Sequence, residues 1–395
     1  MAESKTALPG PVKGLSFVSL FNDFASEMVY PVLPAFITGP LGGTALALGA
    51  LDGAAELTAA LIKWVSGRLA DRKGWTKPLI LAGYGVAILI RPLISVASAA
   101  WQVVGFRVID RIGKGMRTPP RDAVLAEVTD PAQRGRAFGF NRAMDHLGAV
   151  LGSLAAWALL QASVGVREVI GWSAVPGVLA VLVLLVALRG VTGHRARVAS
   201  HQSAVSGDAS GTAYWVPAGV LVLLTVARLP ETLLLFRLQQ LGVPVAAVPL
   251  AWAALHVIRS SFSYPGGRIT DALGPGLTYA VGIAVYIGVA ALFALPLSEL
   301  GALAVFLCYG LVAGLTEPAE RVVVSQLAPL RTGRGFGNYQ AVSGLAALPA
   351  GIAFGALYQS AGAPAALMAS AAVLGVAVIA WVLVARRFRA PATRR

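Results

Sequence analysis

Apolar runs of about twenty residues recur along the chain, parted by short polar breaks. Twelve can be marked, at 14–38, 44–66, 78–99, 101–126, 136–161, 169–189, 214–240, 244–266, 276–297, 300–326, 334–359 and 364–386. A backbone that faces hydrocarbon must satisfy its own hydrogen bonds, so each run predicts a membrane-spanning helix. One break is long. Gly190 to Thr212 reads GVTGHRARVASHQSAVSGDASGT, rich in Ser, Gly and basic residues, and predicts a flexible linker. The pattern predicts an all-α polytopic membrane protein of twelve helices. Its halves are residues 1–189 and 214–395, joined by a cytoplasmic linker at 190–213, with a short basic tail.

The fourth run breaks the apolar pattern. It carries Arg107, Asp110, Arg111, Lys114, Arg117, Arg121 and Asp122. At the α-helical angle these fall within roughly 140° of arc, on one face. Each such charge facing lipid at the bilayer centre costs about 2.5–3.5 kcal/mol. That face therefore looks into protein or into a watery cavity.

Composition agrees with a membrane chain: 395 residues, 57% hydrophobic and 13% charged. The formal net charge of +14 raises nucleic acid as a partner, but the placement of the charges argues against it. With the N-terminus inside, the inner segments hold Lys5, Lys13, Arg68, Arg72, Lys73, Lys77, Arg134, Arg136, Arg189, Arg195, Arg197, Arg268, Arg331, Arg334 and the tail arginines, and the outer loops hold only Arg167. This asymmetry orients a multi-pass membrane protein with both termini cytoplasmic. The basic rim meets anionic lipid, and no nucleic acid is expected. Cys308 lies in an apolar run and reads as a buried, inert thiol. Asn22, Asp23 and Glu27 in the first run do not suit the core of a signal peptide. No metal-ligand spacing, phosphate-binding loop or nucleophile motif appears, so an enzyme is not expected, nor a cofactor or a metal.

The halves repeat. GRLADRKG at 67–74 matches GRITDALG at 267–274, and GRAFGF at 135–140 matches GRGFGN at 333–338. Parallel six-helix repeats joined by a linker are a transporter architecture. The first of these motifs, with Gly67, Asp71, Arg72 and Gly74 and its echo Gly267, Asp271 and Gly274, resembles the loop signature of the major facilitator superfamily (MFS). The block DRIGKG…PRDA at 110–123 resembles a prokaryotic subgroup of that family. The resemblance implies two bundles that rock about a central site, with the third, sixth, ninth and twelfth helices peripheral. It also implies gating: Asp71 latching onto the start of the eleventh helix and Asp271 onto that of the fifth, where a helix dipole favours an anion. The alternative is a loop that only sets topology and a tight turn.

Charge placement sorts the helices in the same way. The sixth, ninth and twelfth carry none in their spans apart from terminal basic residues, and the third carries only Arg91, read as lying toward the outer side. The candidate substrate and coupling residues are Asp23, Glu27 and Tyr30 on the first helix and Asp52 and Glu56 on the second. The fourth adds Arg107, Asp110, Arg111 and Lys114, and the fifth Arg142, Asp145 and His146. The second half adds Arg228, Glu231 and His256. A buried carboxylate can load and release protons near neutral pH, and Glu27 and Asp145 lead that set. The competing reading is an internal salt-bridge network with Asp110 and Asp122 paired to neighbouring arginines, which can also set two alternative packings. Gly148, Gly152 and Ser153 resemble an antiporter motif of the family with Ser in place of Pro, against ordinary small-residue packing. Tyr30-Pro31, Pro34 and Pro230 predict bends. Trp101, Trp215 and Trp381 read as interface anchors.

These features predict a secondary transporter moving a small polar or amphipathic solute by alternating access, with protons as coupling ion, in the efflux direction, and as a monomer. The alternatives are a proton-coupled uptake symporter for an organic anion or metabolite and, more remotely, a non-transporting membrane receptor.

Overall fold

The computed structural model describes residues 8–70, 74–129, 134–189, 211–327 and 332–385. All regular structure among them is helical. The helices are α1 (Gly10–Val29), α2 (Leu33–Thr38), α3 (Ala45–Ala70), α4 (Thr76–Leu93), α5 (Ala100–Val128), α6 (Arg134–Gln161), α7 (Val166–Trp172) and α8 (Ala174–Arg189). After the linker come α9 (Thr212–Val226), α10 (Glu231–Gln240), α11 (Val248–Leu273), α12 (Pro275–Phe293), α13 (Glu299–Leu327) and α14 (Thr332–Ala385). Among the described residues, nine helical stretches are long and apolar enough to cross a membrane. Neither α1, with Lys13, Asp23 and Glu27, nor the charged α5 is among them.

The helices fall on the predicted apolar runs, and their interruptions follow from the chemistry of the chain. A 3-10 turn at Tyr30–Val32, bearing Pro31, separates α1 from α2. Pro230 precedes α10 and ends the continuity with α9. The last two runs form one continuous assignment, α14, broken at Gly362, whose φ of 84° is open to glycine at little cost.

The chain clusters into two units. The first comprises Met1–Phe36 and Thr58–His201, and the second Ile37–Leu57 and Gln202–Arg395. Helix α3 is thus divided: its first half packs with the second unit and its second half with the first.

In the first unit Val12, Leu15, Val18, Ile80, Tyr84, Val124, Leu125, Leu184 and Leu188 form a core where α1, α4, α5 and α8 meet. Helices α1 and α6 approach closely because Gly148 and Gly152 carry no side chain. A Cβ there would lie 2.2 Å from the Leu20 carbonyl oxygen and 2.3 Å from that of Phe24. Helix α8 turns Val175, Val178, Leu182 and Val186 outward, as a lipid-facing helix does.

In the second unit Trp381 is buried and its indole N–H donates to the Gly276 carbonyl at 2.8 Å. It is a packing residue rather than the expected interface anchor, whereas Trp101 and Trp215 are exposed. Cys308 is exposed, not buried. An apolar run in a membrane chain can turn its surface to lipid, so apolar surroundings in sequence do not imply a protein core. The repeat is visible in the backbone: Gly74 and Gly274 both take positive φ, 88° and 85°. At the second, the Gly274 N–H closes α11 on the Thr270 carbonyl.

Candidate functional site

The first unit gathers its charges around Asp110, which is fully buried in the middle of α5. Its Oδ1 accepts from Arg91 Nε at 2.8 Å. Its Oδ2 faces Arg107 at 3.5 Å and Arg111 at 3.4 Å. All three guanidinium groups are buried. Arg107 and Asp110 are one helical turn apart, so the spacing on α5 places them together. The Arg107 guanidinium also stacks over the Tyr30 ring, 4.9 Å from its centroid, and buried Arg117 stacks over Tyr84 at 4.8 Å.

The network runs on to α1. Arg91 Nη1 donates to the Asn22 backbone oxygen at 2.7 Å and to Asn22 Oδ1 at 3.0 Å. The other end of that amide donates to Asp23 Oδ1 at 2.8 Å. Farther along α5, Arg121 holds Asp122 at 2.9 Å and donates to Ser19 Oγ at 2.7 Å. On α6, Asp145 is buried and lies 3.6 Å from Arg142, whose side chain is 62% exposed. Glu27, Lys114 and His146 are half-buried, and Glu56 is exposed.

Arg91 is not among the candidates the sequence offers, yet it is 2% exposed and ties α4 to both α5 and α1. The signal was present. A lone guanidinium in an apolar helix must turn away from lipid, for the same energetic reason that applies to α5. Asn22, which carries no charge, gave no comparable signal.

The second unit builds a different arrangement around the α9–α10 break. Tyr286 OH accepts the Leu229 N–H at 2.6 Å, and Ser370 Oγ donates to the Ala227 carbonyl at 2.6 Å. Side chains of α12 and α14 thus satisfy backbone groups that a continuous helix would have paired. Glu231, in the first turn of α10, pairs with Arg259 of α11 and accepts from Tyr309 OH of α13 at 3.0 Å. Both partners converge on its Oε1, and its side chain remains 31% exposed. The Arg259 guanidinium lies over the Trp252 and Tyr309 rings, 5.4 and 5.2 Å from their centroids. His256 meets the Trp252 ring edge-on at 5.0 Å. Arg228 Nε donates to the Thr225 carbonyl at 3.4 Å. Trp252 lies two turns before Arg259 on the same face of α11, whereas Tyr309 comes from α13 and escapes sequence reading.

Asp52 belongs to the second unit. Its Oδ2 accepts from the Thr232 N–H at 3.1 Å and from Thr232 Oγ1 at 2.8 Å. Of the gating motif, Gly67 lies 3.8 Å, at its would-be Cβ, from Pro119, and Gly267 faces open space. Asp71 and Arg72 lie outside the described residues, as does the side chain of Asp271. Among the described residues no three His, Cys, Asp or Glu side chains come together to hold a metal ion.

Buried charge on helices that are otherwise apolar, with one helix broken at mid-length, is the signature of a protein that conducts a polar solute through a bilayer. Comparison with known proteins agrees. The model of the Major Facilitator Superfamily matches residues 15–347. The MFS-type transporter MJ1317 of Methanocaldococcus jannaschii is 27% identical over 354 residues, covering 87% of each chain. The multidrug resistance protein MdtH of Photorhabdus laumondii is 30% identical over 147 residues, 37% of this chain and 36% of its own. Among solved structures, the nucleoside transporter NupG superposes with a TM-score of 0.75 at 12% identity, over 95% of this chain and 98% of its own. The chain belongs to the major facilitator superfamily and is a multi-pass membrane transporter of that fold.

Proposed function

We propose that this transporter exports a small polar or amphipathic solute across the bacterial cytoplasmic membrane, driven by the proton gradient and working by alternating access as a monomer. The observation that carries the reading is the buried cluster of Arg91, Arg107, Arg111 and Asp110 inside a bundle whose outer surface is apolar. Charges so placed serve a pathway rather than a lipid boundary. Asp23, Glu27, Tyr30, Arg107, Arg111, Lys114, Arg142, Asp145 and His146 are the contributions of residues 1–189 to solute contact or coupling. Asp52 and Glu56 on α3 join them, and residues 214–395 contribute Arg228, Glu231 and His256. Asp71 and Asp271 act as latches on the cytoplasmic side, where both termini lie. Likeness to a multidrug resistance protein over part of the chain supports the outward direction.

The test begins with a thermal-shift screen of the purified protein against metabolites and drugs. A ligand that binds the folded state raises apparent stability by RT ln(1 + [L]/Kd). The hit is then added to proteoliposomes carrying a pH-sensitive dye. Antiport and symport move protons in opposite senses relative to the solute. A proton flux opposite to the solute flux supports the proposal; a parallel flux replaces it with symport; solute counterflow without proton movement removes the coupling.

A further inference from the structure

We infer that Arg91 is a positioning residue: through Asn22 it sets the place of Asp23 on the polar face of α1. The role of Asp23 rests on the transport reading above, whereas the geometry of the relay and its test do not.

Charge balance alone does not account for Arg91. Asp110 already faces Arg107 and Arg111 within 3.5 Å. What Arg91 adds is a fork. Nε serves Asp110 on α5, while Nη1 serves both oxygens of Asn22 on α1. A guanidinium can hold such a planar, two-sided geometry and an ammonium cannot. By occupying Asn22 Oδ1, Arg91 also decides the orientation of that amide. The oxygen end is taken, so the NH2 end points to Asp23 Oδ1, where it donates at 2.8 Å. Arg91 and Asn22 are each 2% exposed, while Asp23 is half-buried. The relay thus begins on α4, whose Leu81, Leu89 and Leu93 are exposed, and ends on a carboxylate that meets the polar interior.

The probe is N,N′-dicyclohexylcarbodiimide, whose covalent attachment to carboxyl groups is read by peptide mass spectrometry on the purified full-length protein. The variants are Asn22→Leu, Arg91→Lys and Arg91→Leu. In the last, Asp110 keeps Arg107 and Arg111 as partners, so its charge is not left uncompensated. Glu231 in the second unit is the internal reference. The expected result is a rise of about tenfold in the rate of modification at Asp23 in all three, the scale of one lost hydrogen bond, with Glu231 unchanged. A wild-type rate at Asp23 in Arg91→Lys and in Arg91→Leu would reduce Arg91 to a counter-ion of Asp110. A wild-type rate in Asn22→Leu alone would remove the relay, and a parallel rise at Glu231 would mark general loosening and overturn the inference as well. Failure of solute transport by the wild-type protein would strike the functional proposal without altering these rates.

Discussion

The Tyr286 hydroxyl on α12 accepts the Leu229 N–H at 2.6 Å, and Leu229 lies within the α9–α10 break. The same hydroxyl is 3.2 Å from Ser370 Oγ, which in turn donates to the Ala227 carbonyl. A helix interrupted inside a membrane protein leaves backbone groups with no water to turn to, and two side chains meet that need here. Tyr286→Phe keeps the ring and removes the acceptor. It is expected to cost about 1–3 kcal/mol, the penalty for an unsatisfied buried donor. Thermal unfolding in detergent checks this; an unchanged melting temperature would mean that Leu229 finds another partner.

Glu231 opens the helix that follows this break. Its pairing with Arg259 is supported by Tyr309 and by the two aromatic faces that the guanidinium meets. Glu231→Gln preserves shape and one acceptor but leaves Arg259 without its carboxylate. Transport of the solute identified by screening is expected to fall at least about tenfold, since the largely buried Arg259 guanidinium is left without its charged partner. Arg259→Lys retains charge but loses the planar group that faces the two rings, and a smaller loss is expected. Initial rates in proteoliposomes compare the two, and equal losses would show that the charge alone matters there.

Much of this was legible in the chain. The apolar runs give the helices, and the twin motifs give the repeat that reappears as Gly74 and Gly274 in the same backbone region. Charge on α5 required a polar neighbourhood, and Asp110 has one. Periodicity, however, says which face of a helix is polar and not what it meets. The pattern therefore gives no partner for Arg91, which pairs with Asp110 and reaches Asn22. The division of α3 between two units was equally hidden, because nothing in its composition changes near Leu57. Trp381 misled for a related reason: a tryptophan near a helix end can anchor at the interface or donate inward, and only the Gly276 carbonyl decides.

The glycines of α6 make a sharper test of packing. A Cβ at Gly148 or Gly152 would strike backbone atoms of α1, which cannot yield as a side-chain tip can. At Gly288 on α12 nothing lies within 4 Å of the added atom. Gly288→Ala is expected to raise stability slightly, by up to about 1 kcal/mol, through helix propensity. Gly148→Ala and Gly152→Ala carry the same propensity gain and are expected to lower stability nonetheless, by about 1–3 kcal/mol from overpacking. The sign of the melting-temperature change distinguishes the two sites. A rise at all three would mean that α1 moves aside freely, and the antiporter-like spacing would then need a reason other than close approach.

The first half of α3 is held in the second unit by two kinds of contact. Gly49 and Gly53 let it approach α14, where added Cβ atoms would lie 2.0 Å from the Gly351 oxygen and 2.7 Å from that of Ala347. Asp52 binds Thr232 twice, through the hydroxyl and through a backbone N–H in the first turn of α10. Its other half is held in the first unit, where Ser66 Oγ donates to the Gly115 carbonyl at 2.7 Å. The Asp52 contact combines a charged acceptor with a helix N-terminus, which favours an anion. Thr232→Val removes one of the two donors, and Asp52→Ala removes the acceptor for both. If the pair acts together, a double-mutant cycle on unfolding free energy should give a coupling of about 0.5–3 kcal/mol, and Asp52→Ala should be the more damaging single change. Additive losses would mean that the two residues stabilise α3 and α10 separately. The glycine contacts would then be what holds the first half of α3 in place.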